Sequence, residues 1–177
     1  MDYTAILPPS DHKIDFDLLD CAAEGPEVTV VDDYELQVVS PVSVMELIGP
    51  RSKVTFFTDC HRPYLVIHFK TVDRFLRITM LCADDTGKNK LFDMSNKSSF
   101  ITVDQTTCSM PMEVGSGWQY VCIELDELLA NAYGSQFVSC KEVTIYGSCR
   151  VSKIYFQSRK HADVELPSYL RVVVNER

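Results

Sequence analysis

Long apolar runs are missing from this chain: the longest stretches hold four or five residues, far short of the roughly 20 that span a bilayer. Catalytic signatures are scarce as well. Neither a Walker loop nor a G-x-G-x-x-G appears, and no serine sits in a Gly-x-Ser-x-Gly elbow. His12, His61, His68 and His161 show no helical i, i+4 pairing and no cysteine partner at C-x-x-C spacing. There is one tryptophan, Trp118, although sugar-binding platforms rest on exposed aromatic faces. The seven cysteines, at 21, 60, 82, 108, 122, 140 and 149, are odd in number and spread through predicted strands. A disulfide framework favours dense, even-numbered sets, so these read as free, mostly buried thiols. Residues 1–9 carry neither a basic n-region nor an apolar h-region, which points to the cytosol.

Turn residues and β-branched runs fill the space between. Lys53–Phe57, Tyr64–Phe69, Phe75–Ala83 and Lys90–Met94 read as strands, with Asp84-Asp85-Thr86-Gly87 as a hairpin turn. Val28–Val31, Tyr34–Val39, Phe100–Val103, the Trp118 strand, Val143–Tyr146, Val151–Phe156 and Leu170–Val174 bring the count to about ten. Between Trp118 and Leu125, Val121, Ile123 and Leu125 alternate with Tyr120, Cys122 and Glu124, so one set faces a core. Asp126 is placed to cap a two-turn helix over 126–133, and Gly134 supplies the left-handed residue that ends it. The pattern predicts an all-β, jelly-roll-like sandwich with one short helix.

Charge divides the chain. Residues 1–40 hold ten acids against Lys13 alone, while the remainder has 16 bases and 15 acids. The formal −8 is therefore a property of the first quarter. This segregation predicts an acidic arm over residues 1–25, able to order on a neighbouring protein, and one sandwich domain over 26–177. Residues 143–162 contain Arg150, Lys153, Arg159 and Lys160 and no acid. Surface charge of both signs keeps any domain soluble, but an uninterrupted basic stretch also suits an acidic partner, steering encounter and fixing register. A nucleic-acid groove, which would use Tyr155 and Phe156 among these bases, is opposed by the net negative charge.

Enzyme readings rest on thin pairs. Asp32-Asp33 and Asp84-Asp85 are adjacent carboxylates, but neighbours on a strand point to opposite faces, so turn roles are expected. Cys60-His61 is the nearest thing to a nucleophile or ligand pair, yet sequence neighbours do not orient on one atom as an assembled dyad does. No catalytic, metal or cofactor-binding set is expected.

The run Cys108-Ser109-Met110-Pro111-Met112 followed by Gly117-Trp118-Gln119 and Ile123-x-Leu125-Asp126-Glu127 resembles the cilia- and flagella-associated protein twenty family, inner-junction proteins of ciliary doublet microtubules. Ala132-Tyr133-Gly134, Cys149-Arg150-Val151, Ile154-Tyr155-Phe156 with Arg159, and Glu165-Leu166-Pro167 extend the likeness, as do Phe75–Ile78, Asp84-Asp85 and Phe92–Ser95. Family members are basic overall and begin with a lysine-containing hydrophobic segment, which residues 1–25 do not resemble; a divergent paralogue is implied. The resemblance implies a non-catalytic structural protein of the axoneme that binds α/β-tubulin and junction proteins such as the parkin co-regulated protein, with neither nucleic acid nor membrane as partner. Arg150, Lys153, Arg159 and Lys160, with Tyr133 at the end of the helix, are the expected contact residues. The galactose-binding type of jelly roll also houses carbohydrate-binding modules, so a glycan-binding module is the rival expectation, and Trp118, opening a core strand, is assigned to packing.

Overall fold

The computed structural model describes residues 2–10, 14–36 and 42–171. Among them thirteen strands run in the order β1 (Tyr3–Leu7), β2 (Cys21–Glu24), β3 (Val28–Asp33), β4 (Val42–Leu47), β5 (Lys53–Cys60), β6 (Tyr64–Thr71), β7 (Arg77–Asp84), β8 (Asn89–Ser95), β9 (Thr102–Val103), β10 (Thr107–Pro111), β11 (Trp118–Glu124), β12 (Phe137–Tyr146) and β13 (Cys149–Gln157). A single α-helix, α1 (Leu125–Tyr133), joins β11 to β12. One sheet has the order β11-β6-β13-β4-β3 with β1 also paired to β13, and the other the order β2-β5-β12-β7-β8-β10-β9. The two stack as a jelly-roll-like sandwich, and all pairings are antiparallel except β8 with β10.

Period-two alternation decides which side chains meet between the sheets. Leu65, Ile67 and Phe69 of β6, Val151, Ile154 and Phe156 of β13, Phe56 of β5, Met80 of β7 and Phe92 of β8 fill that layer, all nearly or wholly buried. Burying a Leu, Ile or Phe stabilises by about 1.5–3 kcal/mol each, so this layer is the main source of stability. The helix ends where expected: Gly134 has φ +63°, and its N–H returns to the Ala130 carbonyl. It starts one residue earlier than expected, with Asp126 inside the first turn, where a carboxylate favours the helix dipole.

The segment expected as an acidic arm is part of the sandwich. Tyr3 to Leu7 pairs with Gln157 to Ile154, and Cys21 to Glu24 pairs with Phe56 to Lys53. Leu7 is fully buried while Asp2, Asp15, Asp17 and Asp20 are exposed. Acid-rich composition masked a short alternating pattern whose apolar members point inward. Phe100–Val103 reduces to the two-residue β9, Tyr34–Leu36 form bends, and the strand expected over 170–174 starts in a 3-10 turn, Ser168–Leu170. Residues 37–39 and 172–174 of those expected strands lie outside the described residues.

A second, smaller apolar cluster lies on the outer face of the β6/β13 sheet. Two 3-10 turns, Asp163–Glu165 and Ser168–Leu170, fold the chain back so that Leu166 and Leu170 cover Val66 and Tyr155. This cover on one side and the inter-sheet core on the other leave every residue of β13 except Arg150 buried. All seven cysteines are free thiols, five of them buried.

Candidate partner-binding face

Strand β13 carries the basic stretch, and its geometry divides that stretch in two. Arg150 points to the outer face opposite Glu46 of β4. An extra residue at Ser152 breaks the register between Val151 and Lys153; this bulge keeps Lys153 on the outer face beside His68 while Ile154 returns to the core.

The outer-face cations converge on Asp33, whose side chain is inaccessible to solvent. Its carboxylate accepts Arg150 Nη1 at 2.9 Å, Lys70 Nζ at 3.3 Å, the Trp118 indole N–H at 3.2 Å and the backbone N–H groups of Glu35 and Leu36 at 2.9 and 3.2 Å. Burial opposes the charged form, but the bonds from Arg150, the Glu35 N–H and Lys70 outweigh it and hold the Asp33 pKa below the usual carboxylate value. Arg150 also donates Nε to Glu46 Oε2 at 2.6 Å, and Lys70 reaches Glu35 at 3.2 Å. Burial works against the Arg150 charge too, and its two carboxylate partners raise its pKa regardless.

His68 completes this region. Its Nδ1 lies 2.6 Å from Ser152 Oγ and its ring 5.0 Å from that of Trp118. Burial first and the Lys153 charge second push its pKa down to about 4. Lys153 is 8% exposed, and burial lowers its pKa. Of Arg150 and Lys153, both expected as contact residues, Lys153 is thus buried in the fold, while Arg150 keeps its side chain 26% exposed and is engaged by Glu46 and Asp33. Trp118 lies in this outer network and not in the core: its N–H is bound by Asp33, and Lys70 Nζ sits 5.5 Å from its ring centroid. The Lys70 ammonium and the His68 ring against this indole, with a buried carboxylate on its N–H, tie it into the fold.

Beyond Gln157 the chain leaves the sheet, and Arg159 and Lys160 stand in solvent with side chains 58% and 61% exposed. Arg159 pairs with Glu165 at 2.8 Å and Asp2 at 3.5 Å; Lys160 pairs with Glu124 and lies 5.8 Å from the Tyr64 ring centroid. Arg62, which sequence reasoning passed over, joins them by donating to Thr4 and to Ser158, the residue before Arg159. Exposed pairs of this kind hold weakly and exchange readily with carboxylates brought by another chain. Tyr133 is set apart: Glu124 precedes α1 and Tyr133 ends it, about 13 Å away along the axis. Its ring packs edge-on to Phe92 at 6.2 Å beneath Lys90, and its buried hydroxyl has no hydrogen-bond partner among the described residues.

The residue pairs weighed for chemistry separate. Cys60 is buried opposite Cys140, whereas His61 is exposed and hydrogen-bonds through Nδ1 to the Val138 carbonyl. Asp84 is a turn residue: it accepts the Thr86 N–H and pairs with Lys90 at 3.2 Å. Burial opposes its charge, but Thr86, Ser135 and Lys90 outweigh that and hold its pKa down to about 2. Among the described residues no three His, Cys, Asp or Glu side chains come together as a metal site. No helix among them is long and apolar enough to cross a membrane.

The family model described as the CFA20 domain matches residues 16–174. The chain is 28% identical over 139 residues to Cilia- and flagella-associated protein 20 of Chlamydomonas reinhardtii, covering 73% of each chain. It is 24% identical over 162 residues to the protein of that name in Caenorhabditis elegans, covering 86% of this chain and 78% of the other. Among solved structures, a family 11 carbohydrate-binding module from Clostridium thermocellum is similar with a TM-score of 0.43 and 9% identity, covering 89% of this chain and 96% of that one.

Proposed function

This chain belongs to the CFA20 domain family, and from that membership we propose that it is a non-catalytic structural protein of the ciliary or flagellar axoneme. Its relatives are cilia- and flagella-associated proteins. In this reading the sandwich binds α/β-tubulin and neighbouring junction proteins, the parkin co-regulated protein or its equivalents, and so stabilises doublet microtubules.

The observation that carries the contact assignment is the exposure of Arg159 and Lys160, just past a strand whose own cations, Arg150 and Lys153, are tied up or buried. The chain as a whole is negative at −8, so attraction to an acidic lattice has to be local. Screening makes that possible: at physiological salt, charges more than about 8 Å apart are largely hidden from each other. A rigid face also loses little freedom on docking, so modest contacts repeated along a filament sum to stable attachment. Arg62 and Tyr64 extend the same face.

Co-sedimentation with isolated axonemes tests the proposal. R159E/K160E is expected to leave the pellet at salt concentrations where the wild type remains bound, with an unchanged far-UV spectrum. Equal binding by the two proteins across the salt range would remove these residues from the interface.

A further inference from the structure

The opposite edge of the molecule presents a different surface. The second sheet ends at β9, which pairs with β10 on one side only, and residues 99–106 are exposed without interruption. Phe100 is 80% exposed, Ile101 64% and Val103 48%. Phe75 joins them through the adjoining loop: the Leu76 N–H bonds the Asn96 side chain, and Lys97 Nζ lies 4.4 Å from the Phe75 ring centroid. An uncovered sheet edge with several large apolar side chains left in solvent marks an association surface.

The sequence of this edge says what fits it. Only Thr102–Val103 of the segment Lys97–Asp104 is strand, with Lys97 in a turn and Phe100 in a bend, but the segment carries opposite charges at its two ends and Phe100 and Ile101 between them. A two-fold rotation of a second copy sets Lys97 against Asp104 on both sides. Lys97 has no carboxylate partner among the described residues, and the Asp104 carboxylate is exposed, with Oδ1 accepting the Thr106 and Thr107 N–H groups. A two-fold interface demands such a patch, since each residue must find its complement on an identical surface.

We propose that two copies of this chain associate across this edge about a two-fold axis, with Phe100 and Ile101 at its centre and Lys97 opposite Asp104 of the second copy at either end. The few apolar side chains per copy place the contact at the small end of specific interfaces, so the dimer is weak, with Kd of about 10–100 µM. This edge is separate from the Arg159/Lys160 face, and the proposal stands or falls independently of axoneme binding.

Sedimentation velocity from about 1 to about 300 µM, bracketing that Kd, reads the association. The wild type shifts from monomer toward dimer, and I101D weakens that shift at least about tenfold, one interface residue's loss. K97E and D104K, both at exposed positions, each weaken it alone, and far-UV spectra check that D104K, which gives up the Thr106 and Thr107 N–H bonds, keeps its fold. Mixed in equal amounts they recover a dimer, because the mixed pair joins opposite charges at both ends. A monomer at every concentration overturns the proposal, as does a dimer indifferent to K97E or a mixture that stays monomeric. Phe100-dependent binding to phosphatidylserine vesicles, or to axonemes, by a chain that does not self-associate assigns the edge elsewhere and overturns it too.

Discussion

Arg150 and Lys153 near the start of β13 and Arg159 and Lys160 just past its end have the same charge and sit in one acid-free stretch, but they occupy opposite environments. In the first pair Lys153 is buried and Arg150, partly exposed, is bonded to two carboxylates. The second pair is in water, held by exchangeable partners. Equal charge thus serves two purposes, internal closure in one half and availability in the other. What separates them is where β13 stops being part of a covered sheet.

The strongest break in this comparison is at Asp33. Asp33→Asn removes the buried carboxylate that Arg150 and Lys70 share, leaving them only Glu46 and Glu35, and Arg150→Met takes one of the two cations from Asp33. Each is expected to destabilise by about 1.5–3 kcal/mol, the scale of a hydrogen bond to a charged group. Urea denaturation measures this, and the double variant should lose less than the sum, because the interaction can be broken only once.

Acid provides the next lever. His68 is held neutral in the fold, with a pKa of about 4 against 6.5 for the free side chain. Between those values the unfolded chain binds the extra proton, so stability is complete above about pH 6.5 and is lost as pH falls toward 4. The loss reaches about 3 kcal/mol at the low end. His68→Gln should flatten the stability profile in this window; a profile that keeps its slope would assign the acid sensitivity to other groups.

Lys153→Met probes the same enclosure from the other side. Removing a desolvated ammonium and keeping the aliphatic stem is expected to be neutral or to stabilise by about 1 kcal/mol. Since Lys153 helps to depress the His68 pKa, NMR titration of the imidazole should show that pKa rising in the variant.

The difference between the two halves was not readable in the sequence. Alternation exposed β5, β6, β7 and β11, and the Asp126–Gly134 run exposed the helix, because those signals are local and repeat within a few residues. Asp33 and Arg150 are 117 residues apart and Asp33 and Trp118 are 85 apart, so their meeting depends on strand order, which no local pattern encodes. The bulge at Ser152 hides Lys153 for a similar reason: one extra residue re-aims a side chain that simple alternation would send inward. Tyr3–Leu7 was obscured by its acidic surroundings. Arg159 and Lys160 are exposed because Ser158 onward has no apolar alternation to hold it in a strand.

The smallest effect is expected where charge is most exposed, and it decides what the basic stretch is for. R159E/K160E sets like charges beside Asp2 and Glu165, both well exposed, and Glu124, and the new side chains can turn away into solvent. The thermal midpoint should move by less than about 2 °C, the scale set by the unfolding entropy of a domain this size. If the midpoint instead fell as far as in Asp33→Asn, the surface pairs would be fastening β1 and the C-terminal turns, and loss of axoneme binding in this variant would reflect a damaged fold. A small shift with lost binding separates the two roles of β13: one half closes the sandwich, and the other is left for a partner.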